Sequence, residues 1–110
     1  MKQRDIWFAD LKPSKGSEQS GFRRIVIVSG NMLNTHLKVI IACPLSSKIK
    51  NYKGNVVLNP NKENGLTAPS EMMIFHIRSI SKERLIRKIG EISESELAQL
   101  KEGLVDILRY

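Results

Sequence analysis

A single cysteine, Cys43, in a chain of 110 residues has no partner for an internal disulfide, and the expected setting is a reducing cytoplasm. No cysteine cluster is available to hold a metal, and the two histidines, His36 and His76, stand far apart in the chain, so no metal-ligand spacing is present. No apolar run approaches the roughly 20 residues of a membrane span. The opening Met1-Lys2-Gln3-Arg4-Asp5 is not followed by an apolar signal segment, so the expectation is a protein with neither export signal nor membrane anchor. The chain also lacks a Gly-x-x-x-x-Gly-Lys phosphate loop, a dinucleotide-binding glycine fingerprint, repeats and low-complexity tracts. Together these absences exclude disulfide-stapled secreted domains, helical membrane proteins, cysteine-based zinc modules and the common nucleotide-binding folds.

What the chain has in excess is positive charge. Eighteen Lys and Arg face eleven Asp and Glu, for a net charge of +7 and a sequence pI near 9.8. A small basic protein is predisposed to polyanions. Nucleic acid, an acidic protein and an anionic membrane surface all fit, and composition does not choose among them. The 110 residues are expected to form one domain. A chain of this size buries roughly two-thirds of its unfolded surface, enough for a core without staples.

Strand-forming runs dominate the chain. Residues 5–11 contain Ile6-Trp7-Phe8 and end at the turn signal Lys12-Pro13. Residues 24–29 and 39–45 are continuous β-branched runs, the pattern of strands buried on both faces. Residues 54–58 form a shorter strand, 59–65 a polar loop, 72–80 one strand or a pair, and 88–92 a last strand. A helical turn near Asn31 is too short to assign, and Ser81 to Leu85 suits a single helical turn. The C-terminal helix has a start signal: Ser93 as N-cap and Glu96 at N3 form a capping box. Leu97, Leu100, Leu104, Ile107 and Leu108 follow at helical spacing and are expected to dock on the sheet. The fold class read from this pattern is mainly β with a C-terminal helix, a small β-barrel closed by that helix.

The stretch Gly16-Ser17-Glu18-Gln19-Ser20-Gly21-Phe22-Arg23 lies between the first two strands. It places a carboxylate, an amide, hydroxyls and a guanidinium on one glycine-flanked loop, where rigid strands can hold functional groups. Glu18 and Arg23 together are able to accept a proton and stabilise a phosphate. Taken alone the stretch reads first as a solvated hairpin. Ser46 and Ser47 end the third strand, where a hydroxyl either donates to a phosphate oxygen or closes a turn. Lys48, Lys50 and Lys53 follow with Tyr52 among them. Cations with an aromatic suit single-stranded nucleic acid, charge following the backbone and the ring stacking on bases; a solvated lysine-rich loop has the same composition. Cys43 lies in an apolar strand and is expected to be a buried small hydrophobe.

Residues 5–19, Asp-Ile-Trp-Phe-Ala-Asp-Leu-Lys-Pro-Ser-Lys-Gly-Ser-Glu-Gln, resemble the opening of the MazF/PemK (Kid)-type toxins. Their pattern is a Gly-Asp-[Ile/Val] strand followed by Asp-x-x-Pro-x-x-Gly-Ser-Glu-Gln-x-Gly-x-Arg-Pro. The likeness continues through Ile25 to Val28, Pro44-Leu45-Ser46-Ser47, Ile77-Arg78-Ser79-Ile80 and the segment from Gly90 to Leu104. The resemblance implies an SH3-like barrel, usually a homodimer, and a metal-independent, sequence-specific endoribonuclease. Such proteins are the toxins of toxin–antitoxin pairs, each blocked by a cognate antitoxin that is commonly acidic and partly disordered. No cofactor is implied. DNA enters as a possible partner through the antitoxin complex.

By the same resemblance the catalytic arginine falls on Arg23, the acidic motif residue on Glu18 and the catalytic threonine on Ser46. Serine keeps the hydroxyl and loses the methyl that stiffens threonine. Gln19, Arg24, Ser47, Lys48, Lys50, Tyr52, Lys53, His76 and Arg78 are the candidate RNA-binding residues. The chain departs from the pattern in three further places: Arg4-Asp5 replaces Gly-Asp, Arg23-Arg24 replaces Arg-Pro, and Phe75-His76 replaces an acidic-Gln pair. A gyrase-poisoning toxin of the CcdB type and a non-catalytic nucleic-acid-binding or repressor module remain alternatives on the same barrel. The Gly-Ser-Glu-Gln…Arg motif and Ser46 weigh against the first, while the Phe75-His76 and Arg24 departures keep the second open.

Overall fold

The computed structural model describes residues 1–11 and 21–110. Seven strands run in the order β1 (Asp5–Asp10), β2 (Phe22–Ile27), β3 (Val39–Ser46), β4 (Val56–Leu58), β5 (Ser70–Met72), β6 (Arg78–Ser81) and β7 (Leu85–Glu91). Two helices, α1 (Asn31–His36) and α2 (Glu94–Arg109), and two 3-10 turns, Ile74–His76 and Lys82–Arg84, complete the described elements. All pairings are antiparallel, and the sheet follows the path β4-β5-β3-β2-β1-β7 with β6 branching from β3. This is the expected mainly-β barrel-like fold with a C-terminal helix. The path is open, ending on β4 and β7.

β3 is the hub. Its first half, Val39 to Ala42, pairs with β6, and its end, Leu45 and Ser46, pairs with β5. Pro44, which has no N–H to give a ladder, falls where the edge partner changes. Its carbonyl accepts the Met73 N–H at 2.9 Å, tying the end of β3 to the residue that opens the Ile74–His76 turn. The β-branched runs are buried on both faces as expected. Val26, Cys43 and Leu45 contribute to one apolar cluster with Leu97 and Leu100 of α2, and Ile25, Ile27, Ile40 and Ala42 to a second. Cys43 is buried, and burial pushes its thiol far above the ordinary range, so it packs as a hydrophobe.

Several boundaries differ from the sequence reading. Residues 72–80 hold parts of two strands, the pair the sequence allowed, but β5 starts earlier, at Ser70, and the Ile74–His76 turn separates it from β6. β7 begins at Leu85 instead of Lys88, and the weak signal at Asn31 is a six-residue helix. That helix is anchored by the buried Asn34, whose amide donates to the Ser29 carbonyl at 2.8 Å, a side-chain support that helical spacing does not reveal. The capping box of α2 is present: the Glu96 N–H donates to Ser93 Oγ at 3.0 Å and the Ser93 N–H to Glu96 Oε1 at 2.8 Å. The apolar stripe stops short of its expected length. Leu97 and Leu100 are buried and Leu104 packs on the core, but Ile107 is 38% exposed and Leu108 79%. No helix among the described residues is long and apolar enough to cross a membrane.

Candidate functional site

The antiparallel register of β2 and β3 sets Ile25 opposite Pro44. Continued two residues, it brings Arg23 level with Ser46, and both line a recess of about 620 Å³. Ser47, Lys48, Lys50 and Tyr52, from the loop after β3, line this recess together with Met73, Phe75 and His76. Its described lining carries three permanent cations and no carboxylate, an arrangement that attracts anions. Seven of the sequence-derived candidates therefore meet in one place: Arg23, Ser46, Ser47, Lys48, Lys50, Tyr52 and His76.

The remaining candidates lie elsewhere. Arg24 follows Arg23 on β2, and strand alternation turns it to the other face. Burial and then the charge of Arg23 push its guanidinium below the ordinary arginine value. Lys53 faces a second recess with Gly54 and the Asp106, Ile107 and Tyr110 end of α2. Arg78 pairs with Ala42 on the β6 side of β3, and its buried Nη1 has no hydrogen-bond partner among the described residues. Glu18 and Gln19 lie outside the described residues.

Ser46 Oγ accepts the Lys48 N–H at 3.2 Å. The hydroxyl thus closes the turn, itself donating to the Lys48 carbonyl at 3.4 Å, and it also lines the recess. Tyr52 and Phe75 meet edge to face, with ring centroids 5.2 Å apart at 87°. Phe75 and His76 lie 4.6 Å apart at 43°.

The loop bearing Lys50 and Tyr52 is held from behind by Glu71 of β5, which has no accessible surface. The N–H groups of Lys50 and Tyr52 donate to its carboxylate at 2.8 and 2.9 Å, and Asn55 Nδ2 donates at 3.1 Å. Burial alone would raise the Glu71 carboxyl, but hydrogen bonds from the Lys50 N–H, the Asn55 amide and the N–H groups of Tyr52 and Asn51 outweigh it and hold the group below its usual value. Asn51 and Gly54, at φ 53° and 91°, supply the left-handed residues that let the loop wrap one carboxylate.

Glu71, Met73 and Phe75 contribute to the site, though none of them was a candidate site residue by sequence. Glu71 sits between Ser70 and Met72 and looks like the polar half of a strand. Phe75 ends an apolar run and looks like core. The only signal for Phe75 was the replacement of an acidic residue by an aromatic one.

Comparison with known proteins agrees over nearly the whole chain. Residues 2–108 match the family described as PemK-like, MazF-like toxin of type II toxin–antitoxin system. The chain is similar to Endoribonuclease MazF9 of Mycobacterium tuberculosis, at 41% identity over 94% of this chain and 92% of that protein. It is similar to Endoribonuclease EndoA of Bacillus subtilis, at 29% identity over 94% and 90%. In fold it resembles the crystal structure of MazF from Deinococcus radiodurans, with a TM-score of 0.85 at 23% identity, covering 100% of this chain and 97% of that one. A mycobacterial endoribonuclease in complex with its cognate antitoxin superposes with a TM-score of 0.81 at 20% identity, covering 99% and 95%. With its sequence and its fold in agreement, the chain belongs to the PemK-like, MazF-like toxins of type II toxin–antitoxin systems.

Proposed function

We propose that this toxin acts as a sequence-specific, metal-independent endoribonuclease on single-stranded RNA, with Arg23 and Ser46 at the reacting phosphate. The observation that carries the reading is the meeting of Arg23, Ser46, Lys48 and Lys50 in one recess beside exposed aromatic rings. In the reaction the ribose 2′-oxygen loses its proton and attacks the adjacent phosphorus. The bond from phosphorus to the 5′-oxygen of the next nucleotide breaks, and that oxygen gains a proton. The products are a 2′,3′-cyclic phosphate and a 5′-hydroxyl end.

Arg23 offers a planar, permanently charged donor fork to the phosphorane oxygens, where negative charge grows. Ser46 donates a hydrogen bond to a phosphate oxygen while its own oxygen is oriented by the Lys48 N–H. Glu18 is assigned to accepting the 2′-hydroxyl proton or orienting Arg23, on the strength of the motif. Ser47, Lys48, Lys50, Tyr52 and His76 contact the strand on either side; Gln19, on the strength of the motif, and Arg24, Lys53 and Arg78, from outside the recess, are assigned secondary contacts with RNA.

Residues 1–110 act in this reading as one toxin domain, a homodimer in the cytoplasm, silenced by a cognate acidic antitoxin. The +7 charge serves both RNA and that partner, and DNA is reached through the antitoxin complex. The chemistry is tested by replacing the ribose at a mapped cut site with deoxyribose. Cleavage at that bond is expected to vanish while neighbouring sites remain cut. Continued cleavage of the deoxy-substituted bond would rule out the 2′-oxygen as nucleophile.

A further inference from the structure

We infer that Phe75 and Tyr52 form a stacking wall for one base of the bound RNA, next to the reacting phosphate, and that the buried Glu71 carboxylate is the residue that positions this wall. The inference rests on the ribonuclease reading for its ligand and adds to it a subsite and a positioning residue. Phe75 occupies the Ile74–His76 turn, with Ile74 buried beneath the sheet and Phe75 turned out, 47% exposed. Tyr52 is 43% exposed. Two aromatic rings thus face solvent beside Arg23, Lys48 and Lys50. A ligand that satisfies both features combines an anion with a flat apolar face, which describes a nucleotide.

One hydrogen-bond network sets the two rings. Asn55 gives its amide N–H to Glu71 at 3.1 Å and accepts the Ile74 N–H on Oδ1 at 3.1 Å. Glu71 also takes the Tyr52 N–H. The loop carrying Tyr52 and the turn carrying Phe75 are therefore registered through the same buried carboxylate. A wall fixed before binding costs little ordering when the base arrives.

The test is the binding of short, uncleavable 2′-O-methyl oligonucleotides of each base, compared with an abasic backbone of equal length. Wild type is expected to prefer the base-bearing oligomers by about five- to 150-fold, the range of base–aromatic stacking. Phe75→Ala removes most of that preference by weakening base-bearing binding far more than abasic binding, and it is expected to fold, since its side chain is half exposed and outside the core. Phe75→Trp restores the preference, and its emission, above a constant background from Trp7, changes as base-bearing oligomers bind. Glu71→Gln narrows the preference in the wild-type background and has no further effect on it in Phe75→Ala. Equal preference in wild type and Phe75→Ala would overturn the subsite, as would equal weakening of base-bearing and abasic binding. RNA cleavage assayed in parallel separates the two ideas: Phe75-dependent binding without cleavage by wild type would sink the nuclease and leave the subsite, whereas cleavage with Phe75-independent binding would sink the subsite alone.

Discussion

A carboxylate without accessible surface has to be satisfied by donors, and Glu71 takes them from a single loop. Replacing it with glutamine keeps the shape but substitutes an N–H₂ for one acceptor, leaving buried N–H groups facing a donor. Bonds to charged groups contribute roughly 1.5–3 kcal/mol each, and an orphaned donor costs about 1–3 kcal/mol. Glu71→Gln is therefore expected to lose about 2–3 kcal/mol at neutral pH in denaturant titration. The folded carboxyl is held below its unfolded value, so its contribution is complete above the unfolded value of about 4.3 and is lost as pH falls through the folded one. The stability gap between wild type and Glu71→Gln should accordingly close in acid. A gap that stays constant down to pH 2 would show that the carboxylate charge is not what holds the loop.

Arg4, which stands where the resembled family pattern has glycine, offers a second test at this scale. Its φ of 82° lies in the left-handed region, which costs a non-glycine residue about 1–2 kcal/mol. Against relief of that strain, Arg4→Gly loses the bond from Nη1 to the Ile92 carbonyl at 3.0 Å and adds glycine's unfolded-state freedom. These terms are of similar size, so the change is expected to stay within about 1 kcal/mol of wild type. Arg4→Val, β-branched at the same φ, should be clearly less stable by thermal unfolding.

Among the elements, α2 decides how closely the helix approaches the site. A Cβ at Gly103 would overlap the Gly54 carbonyl oxygen and lie 2.8 Å from Ile74 Cδ1. In an isolated helix Gly→Ala gains about 1 kcal/mol, but here the contact involves backbone that cannot swing away. Gly103→Ala is thus expected to destabilise the protein, and because Gly54 and Ile74 adjoin Tyr52 and Phe75, to weaken RNA binding as well. Unfolding midpoints and RNA titration check both; a stabilised variant with unchanged binding would contradict the close packing.

What the sequence disclosed follows the same division. The strands and the Ser93 cap were legible because alternation, β-branching and capping chemistry are local. The end of the helical stripe was not: Ile107 and Leu108 keep the period but stay exposed, with too little of the described structure over them to bury them. Arg23, Ser46 and His76 could be named from a motif. Their assembly into one recess depends on the β2–β3 register and on a turn joined to Pro44, contacts between segments far apart in the chain. Glu71 was illegible for the same reason, since its partners lie 16 to 21 residues away.

For the whole molecule, an open sheet with β3 as hub gathers cations from β2 and from the loop after β3 onto one side of a protein of charge +7. If Arg23, Lys48 and Lys50 each neutralise one phosphate, the logarithm of RNA affinity should fall with the logarithm of salt concentration at a slope near about −2. Lys48→Ala and Lys50→Ala should each flatten that slope by roughly 0.7. A slope unchanged by both would remove this recess from the RNA path. The central claim is that the recess cuts RNA with its own side chains, through Arg23. Its most direct test is a time course of the purified protein on a long RNA with EDTA present, beside Arg23→Ala prepared identically. Discrete cuts by wild type, reduced by about 10²–10³-fold or more in the variant, are expected. Intact RNA with folded wild type, or equal cutting by Arg23→Ala, would contradict the account.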